Sequence, residues 1–353
     1  MNPNNWNVPD KSLRKQATLH DVAQDAGVSK STVSLVLQDN PQVKDQTREK
    51  VLRSIEATGY VYNRKAAALR QAQSSDLIGI LVNSFVTPYS AEILNCFEQV
   101  ALSKGLVPMM ASNGEQLDQQ ERFIKSYMEH KVSGFIICPA PNTSVSWLDK
   151  IWRSGFPLVQ IMREVPFSQF PAVIADNRNG VREATRHLIS LGHQKIAFVG
   201  GDEAISDYHE RLGGYMDAMS EAGLSVPEAY VLPISQGRAA GRQVLQTLLS
   251  YKTRVTAIVC FSDLMAYGIL SMSRELGIEV GKDLAVIGFD DLADSSLTHP
   301  ALTTVRVQPE DFAISAMEML QNHIQNSQVP AERRVIPAKL IVRESCGAPQ
   351  NIN

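Results

Sequence analysis

The chain has 353 residues, 44% of them hydrophobic, and a formal net charge of −3 from 34 basic and 37 acidic side chains. That length can bury more than one core, and no apolar run is long enough to span a bilayer as a helix. The near-neutral total hides a split: residues 1–75 carry 11 Lys and Arg against 7 Asp and Glu, leaving 23 basic and 30 acidic side chains for the rest. A basic front on an acidic body is the distribution expected if only the front meets phosphate.

Residues 1–17 are rich in Asn and Pro with interspersed basic side chains and read as a disordered basic arm. They lack the apolar stretch of a secretory signal, so the protein is expected in the cytoplasm. Residues 18–37, TLHDVAQDAGVSKSTVSLVL, predict two short helices joined by a tight turn. Thr18 and Asp21 have N-cap spacing, and Leu19, Val22, Ala23 and Ala26 form a narrow apolar stripe. Gly27 breaks this helix, Val28 offers an apolar plug and Ser29 can cap the next. The second helix turns Val33, Val36 and Leu37 inward and leaves Lys30, Ser31, Ser34 and Leu35 to face a partner. A third helix is predicted over residues 47–58, with Val51, Leu52 and Ile55 on one face and Gly59 as its stop. This is helix-turn-helix grammar, although a small helical domain with no DNA role could also contain such a turn.

From residue 77 the pattern becomes strand–helix alternation. Strands are predicted at 77–82, 134–140, 157–162, 172–176, 195–200, near 230–233, 257–261 and 284–289. Helices are predicted at 91–102, 147–153, 179–191, 211–222, 237–250 and 264–276. Continuous apolar strands such as LIGILV and KIAFVG suit parallel sheets covered on both faces, and so a doubly wound α/β architecture. The length fits two such subdomains, with ligands held beyond the C-terminal strand ends.

Other motifs are weaker. Cys96, Cys138, Cys260 and Cys346 form no CxxC pair and read as small core residues. Gly200-Gly201-Asp202 lacks Walker spacing, and His187 and His193 lack zinc spacing. His193 is expected to anchor the turn into the following strand, and Asp291 to act as a structural cap. Asp290-Asp291 has no third ligand nearby in sequence, and no Ser-His-Asp or Cys-His set is apparent. We expect no metal, no cofactor and no enzymatic activity.

Nine segments in order from residue 18 to about 345 resemble the LacI/GalR transcriptional regulators: TLHDVAQDAGVSKSTVSLVL, TREKVLRSIEATGYVYN, NRKAAALR, IGILVNSFVTPYSAEI, HLISLGHQKIAFVGG, ERLGGY, FSDLMAYG, VIGFDDLADSSLTHPALTTV and IPAKLIVRES. The resemblance implies a helix-turn-helix headpiece (18–62), a hinge helix and linker (63–74) and a periplasmic-binding-protein-like body (75–345), followed by a tail (346–353). The body would divide into an N-subdomain (about 75–176 and 305–337) and a C-subdomain (about 177–304 and 338–345), with crossings near Asp176, Thr304 and Pro337. It implies a homodimeric repressor of a pseudo-palindromic operator in double-stranded DNA, controlled by a sugar-like effector. The final ESCGAPQNIN carries no heptads, which favours a dimer over a tetramer. A solute-binding protein without a DNA role is the alternative.

The same resemblance implies that Lys30 and Ser31 reach base edges with Leu35 beside them, while Ser29, Thr32, Ser34, Tyr60 and Asn63 donate to phosphate. Leu35 stands where many relatives have Arg and would favour a thymine methyl; otherwise it packs on the headpiece core. In the hinge, Ala66 would let two copies approach and Leu69 would wedge into the minor groove. For the effector, Arg211 would grip hydroxyl pairs or a carboxylate and Asp290 would accept from sugar hydroxyls, and the two could also pair with each other across the cleft. Ser262 would face the ligand, and Tyr89 with the adjacent Ser90 would approach from the other half. Two departures stand out. Met162 and Arg163 replace an expected Asp, and Gln236 an expected aromatic wall. Arg163, if it points inward, would suit a more anionic or more polar effector.

Overall fold

The computed structural model describes residues 17–62, 75–234, 237–251 and 254–349. The chain divides into two units, one up to Ser74 and one from Ser75. In the first, helices α1 (Leu19–Asp25), α2 (Lys30–Leu37) and α3 (Asp45–Thr58) enclose a small core of Val22, Ala23, Ala26, Val33, Val36 and Val51. Thr18 and Asp21 form a reciprocal capping box, with Thr18 N donating to Asp21 Oδ2 at 2.7 Å. Ser29 Oγ caps α2 by accepting from Thr32 N at 3.1 Å. A buried Ser54 hydroxyl donates to the Val22 carbonyl at 3.1 Å and ties α3 to α1. Helix α3 starts two residues before the expected position, and Leu52 does not join the core, being 51% exposed. The core is only wide enough to accept the Val51–Ser54–Ile55 stripe, and Leu52 lies one step around the helix from it.

The second unit alternates β1 (Leu77–Val82), α4 (Pro88–Ser103), β2 (Val107–Ser112), α5 (Leu117–Glu129), β3 (Phe135–Ile137), α6 (Val145–Arg153), β4 (Leu158–Met162) and β5 (Ala172–Ala175). It continues with α7 (Asn177–Ser190), β6 (Ile196–Val199), α8 (Ser206–Glu221), β7 (Val231–Leu232), α9 (Arg238–Ser250), β8 (Ala257–Cys260), α10 (Asp263–Glu275) and β9 (Ala285–Ile287). The last elements are β10 (Thr304–Val307), α11 (Pro309–Gln325), β11 (Arg333–Ile336) and β12 (Ala338–Ile341). Among the described residues, the order β11-β5-β4-β3-β1-β2 makes one parallel sheet and β7-β6-β8-β9 a second, while β10 and β12 pair antiparallel. No described helix is long and apolar enough to cross a membrane.

The path of the chain joins these sheets. After Ala175 it leaves the first sheet and builds the second. Beyond β10, α11 packs on α4 and β4, and β11 pairs with β5 in the first sheet. β12 then returns beside β10, and Ser345 accepts from Val286 N at 2.8 Å. β2, α5 and the four elements from β10 to β12 have no counterpart among the expected elements. Strand β2 is a partly exposed edge interrupted by Pro108, so it shows no continuous apolar run. The four cysteines are free, and Cys138 and Cys260 are buried core residues.

Glycine lets the helices of the second sheet touch. A Cβ on Gly268 of α10 would lie 2.0 Å from the Arg238 carbonyl oxygen, and one on Gly241 of α9 would lie 2.1 Å from that of Met265. Backbone cannot yield as a flexible side chain would, so the helices would have to separate. We expect Gly268→Ala to destabilise the body by about 2 kcal/mol, read as a lowered urea midpoint. An unchanged midpoint would show that these helices part freely.

Candidate DNA interface and ligand cleft

Helix α2 exposes Lys30 and Ser31 at its first turn. The Ser29 hydroxyl lies 2.7 Å from Ser31 Oγ and 2.8 Å from Thr32 Oγ1, so three hydroxyls cluster at the positive end of the helix. Ser34 Oγ, one turn on, accepts from Gln38 Nε2 at 3.4 Å. Leu35 is 36% exposed and outside the headpiece core, against the alternative that it packs inward. Tyr60 is half-buried against that core. Asn63, Ala66 and Leu69 lie outside the described residues, as does Gln236.

In the body, the C-terminal strand ends of both sheets converge on a cleft of about 60 Å³. Its walls include Tyr89 and Ser90 from α4, Met162 and Arg163 after β4, Arg211 of α8, Ser262 after β8 and Asp290 after β9. Helix α8 begins at Ser206, five residues before the expected start, and so also brings Asp207 into the cleft.

Arg211 is held rigidly. Its guanidinium carbon lies 3.6 Å from the Phe289 ring centroid and 4.3 Å from that of Phe261. Nε donates to Asn177 Oδ1 at 2.8 Å and Nη1 to the Phe261 carbonyl. Nη2 has no acceptor among the described residues. Burial lowers the proton affinity of this guanidinium, and the carboxylates of Asp290 and Asp207 oppose that effect.

Asp290 adopts a left-handed backbone (φ 117°), fixed by donation of its N–H to Val305 O at 2.9 Å. Burial pushes its carboxyl pKa well above the usual range, with Arg211 pulling it back. No ion pair joins Arg211 to Asp290 among the described residues, so the two charges attract without closing the cleft on each other. The Ser262 hydroxyl is buried and has no partner among the described residues. Tyr89 is also buried; its hydroxyl points to Val307 O at 3.5 Å and burial raises its pKa. Ser90 Oγ is occupied by Thr87 Oγ1 at 2.6 Å.

Arg163 points inward, on a turn that Met162 makes with a φ of 65°. Its charge is matched locally, because Nη1 and Nη2 donate to the two Glu115 carboxylate oxygens at 2.8 and 3.1 Å. The guanidinium is therefore not a free anchor for an anion, which corrects that part of the sequence expectation. Asp291 is not a cap either. Its buried carboxylate pairs with Arg306 and, at 2.7 Å, with Arg343. His193 does anchor its turn, through Nδ1 at 3.0 Å from Thr256 Oγ1. Gly200 and Gly201 serve packing. Added Cβ atoms would lie 2.6 Å from Met265 Sδ and 2.5 Å from the Tyr208 ring.

Sequence reasoning missed Glu115, Asp207 and Asp263. The last is fully buried at the start of α10, where it accepts from Leu292 N at 2.9 Å, Ser295 Oγ at 2.6 Å and Thr304 Oγ1 at 2.5 Å. Its one visible signal is an acidic first-turn position directly after a strand. Burial pushes its pKa up to about 6, from an ordinary value of 3.8. The folded state thus binds an extra proton between these values. The stability this contributes is complete below the unfolded pKa and lost as pH rises through about 6. Relative to Asp263→Asn, the natural protein should gain about 1 kcal/mol between pH 6 and pH 5 in urea unfolding. Parallel profiles for the two proteins would contradict this.

The chain matches two family models: "Bacterial regulatory proteins, lacI family" over residues 18–63, and "Periplasmic binding protein-like domain" over residues 185–346. It is 32% identical to the HTH-type transcriptional regulator GalR of Escherichia coli (strain K12) over 334 residues, 94% of this chain and 96% of that one. It is 28% identical to the HTH-type transcriptional repressor CytR of the same strain, over 96% of this chain and 98% of that one. Among solved structures it is similar to the lac repressor dimer bound to operator and the anti-inducer ONPF, with a TM-score of 0.85 and 27% identity over 95% and 100% of the two chains. It is also similar to a transcriptional regulator CelR–cellobiose complex, with a TM-score of 0.72 and 29% identity over 94% and 100%.

Proposed function

The chain belongs to the LacI family of bacterial regulatory proteins and is a DNA-binding transcriptional regulator; we propose that it is a cytoplasmic, homodimeric repressor whose operator affinity is set by a neutral, sugar-like effector. The observation that carries the effector reading is the convergence of three under-used polar groups in one cleft. These are Arg211 Nη2, the unpartnered Ser262 hydroxyl and the half-buried Asp290 carboxyl. A planar donor, a hydroxyl and an acceptor around an aromatic floor suit a polyol better than an apolar ligand. The protein acts by binding rather than by catalysis. A solute-binding protein without a DNA role leaves the helix-turn-helix unit without a task.

On this reading Lys30, Ser31 and Leu35 read bases, Ser29, Thr32, Ser34, Tyr60 and Asn63 contact phosphate, and residues 63–74 form the hinge carrying Ala66 and Leu69. Effector binding to both halves of the body alters operator affinity, and the coupling is reciprocal. Selection from a randomised operator library should return a pseudo-palindrome for the natural protein. For Leu35→Arg it should return a different half-site, with guanine gained at one position. Identical profiles would remove Leu35 from the reading surface.

Arg211→Lys keeps a positive charge but loses the planar fork and its stacking between two rings. We expect it to retain operator binding in gel shifts and to weaken calorimetric sugar binding at least tenfold. Full sugar affinity in this variant would place the effector elsewhere.

A further inference from the structure

The three headpiece helices all end on the same hydrogen-bonded turn, and α2 builds it differently from the other two. In α1, Gly27 N donates to Gln24 O at 3.2 Å and Val28 N to Ala23 O at 3.0 Å. In α3, Gly59 N donates to Glu56 O at 3.3 Å and Tyr60 N to Ile55 O at 3.2 Å. The pivot of this turn is left-handed, with φ of 60° at Gly27 and 64° at Gly59, and glycine adopts it without steric cost. Helix α2 closes with the same pair of bonds, Asp39 N to Val36 O at 3.0 Å and Asn40 N to Leu35 O at 3.0 Å. Its pivot, however, is Asp39, at a φ of 53°. Aspartate tolerates that backbone where its short side chain finds a bond, and here the bond comes from α3. Arg48 Nη1 donates to the Asp39 carboxylate and Nη2 to the Asn40 carbonyl at 2.8 Å. One planar guanidinium thus holds the pivot and the residue after it.

We propose that Arg48 is a positioning residue for DNA reading: it stands in for the missing glycine and fixes the last turn of α2, and with it Leu35. This rests on the reading above, in which Lys30, Ser31 and Leu35 meet base edges. The two ends of α2 are held separately. Lys30 and Ser31 stand in the first turn, which the Ser29 hydroxyl caps, whereas the Leu35 carbonyl is itself an acceptor in the turn that Arg48 braces. Val33 and Val36 keep the middle of the helix on the core. The last turn of α2 has no basic residue of its own, so Arg48 supplies the positive charge that a helix C-terminus favours. The Asp39 side chain is 93% exposed and that of Arg48 22%. An ion pair with one partner in water adds little to global stability, so losing it loosens the last turn and leaves the headpiece folded. The consequence is positional. Leu35 loses its register on the bases while the first-turn contacts keep theirs.

The test is operator selection from a randomised library with the full chain, followed by titrations of the selected operator and of random DNA over a range of salt. Arg48→Met keeps the apolar stem and removes the fork. Its base preference should fall about tenfold at the position that changes in Leu35→Arg, and by less than about twofold at the others. Affinity for random DNA and its salt dependence should match the natural protein. Adding Asp39→Gly should restore the lost preference, because glycine closes the turn unaided. If Arg48→Met binds no DNA at all, the double variant decides: restored discrimination supports the brace, and none overturns it. An unchanged profile in Arg48→Met also overturns it. So does a uniform loss on operator and random DNA with the salt slope lowered by about one per subunit, which would make Arg48 a phosphate contact. If Leu35→Arg itself alters no position, the base-reading assignment falls first and takes the positioning role with it.

Discussion

The ligand cleft depends on a buried carboxylate that does not line it. Asp263 takes three donors at the head of α10, and two of them adjoin Asp290: Leu292 N lies two residues on, and Thr304 precedes Val305, whose carbonyl accepts from Asp290 N. A carboxylate in a dry interior is costly unless its lone pairs are filled, so the three donors are fixed relative to one another. Gly288 makes the arrangement possible, because a Cβ there would lie 2.1 Å from Asp263 Oδ1. With the loop so pinned, Asp290 and Asp291 can hold left-handed backbones that would otherwise relax. Asp290 is thereby aimed into the cleft, and Asp291 is turned to the two arginines that anchor β10 and the chain beyond β12.

What the sequence made legible follows from how local each signal is. Strand β1 begins and ends at the expected residues because LIGILV is flanked by a strand on each side and apolar throughout. Edge strand β2 was illegible because one side of it meets solvent, and α5 because only Ile124, Tyr127 and Gln120 of its thirteen residues are buried. The sequence places the start of α8 late because Asp207, His209 and Glu210 look like solvated loop. Asp207 is in fact buried, and its burial is decided by the cleft rather than by its neighbours in sequence.

The site divides along the same line. Arg211, Ser262, Asp290 and Tyr89 were legible because each directly follows a strand end or falls in a motif shared with the regulators. Glu115 was not, since its meaning comes only from Arg163, 48 residues away. An arginine read alone suggests an anionic ligand; read with its partner, it is a neutral, hydrogen-bonding wall. Sequence can supply the residue type at such a position, but the net charge of a pocket is a property of pairs that only the fold brings together.

Those pairs also span the cleft. Arg333 of the first sheet bonds both Glu164 of its own half, at 2.8 Å, and Glu210 of α8, at 2.9 Å. Glu164 N in turn donates to Ser206 Oγ at 3.1 Å. These links hold the α8 end of the second sheet against the first with polar contacts, which reform on opening with water in place of protein and so cost little net free energy. An apolar seam of the same extent would resist separation far more strongly, since parting it exposes hydrocarbon. At this edge of the cleft, hydrogen bonds and half-exposed ion pairs therefore resist separation less than an apolar seam would. A ligand that completes the groups left unsatisfied, Arg211 Nη2, Ser262 Oγ, Arg163 Nε and Asp207 Oδ1, has a differential affinity for the closed form. That difference bounds how far binding can shift the equilibrium and, with it, how strongly the cleft can govern DNA binding.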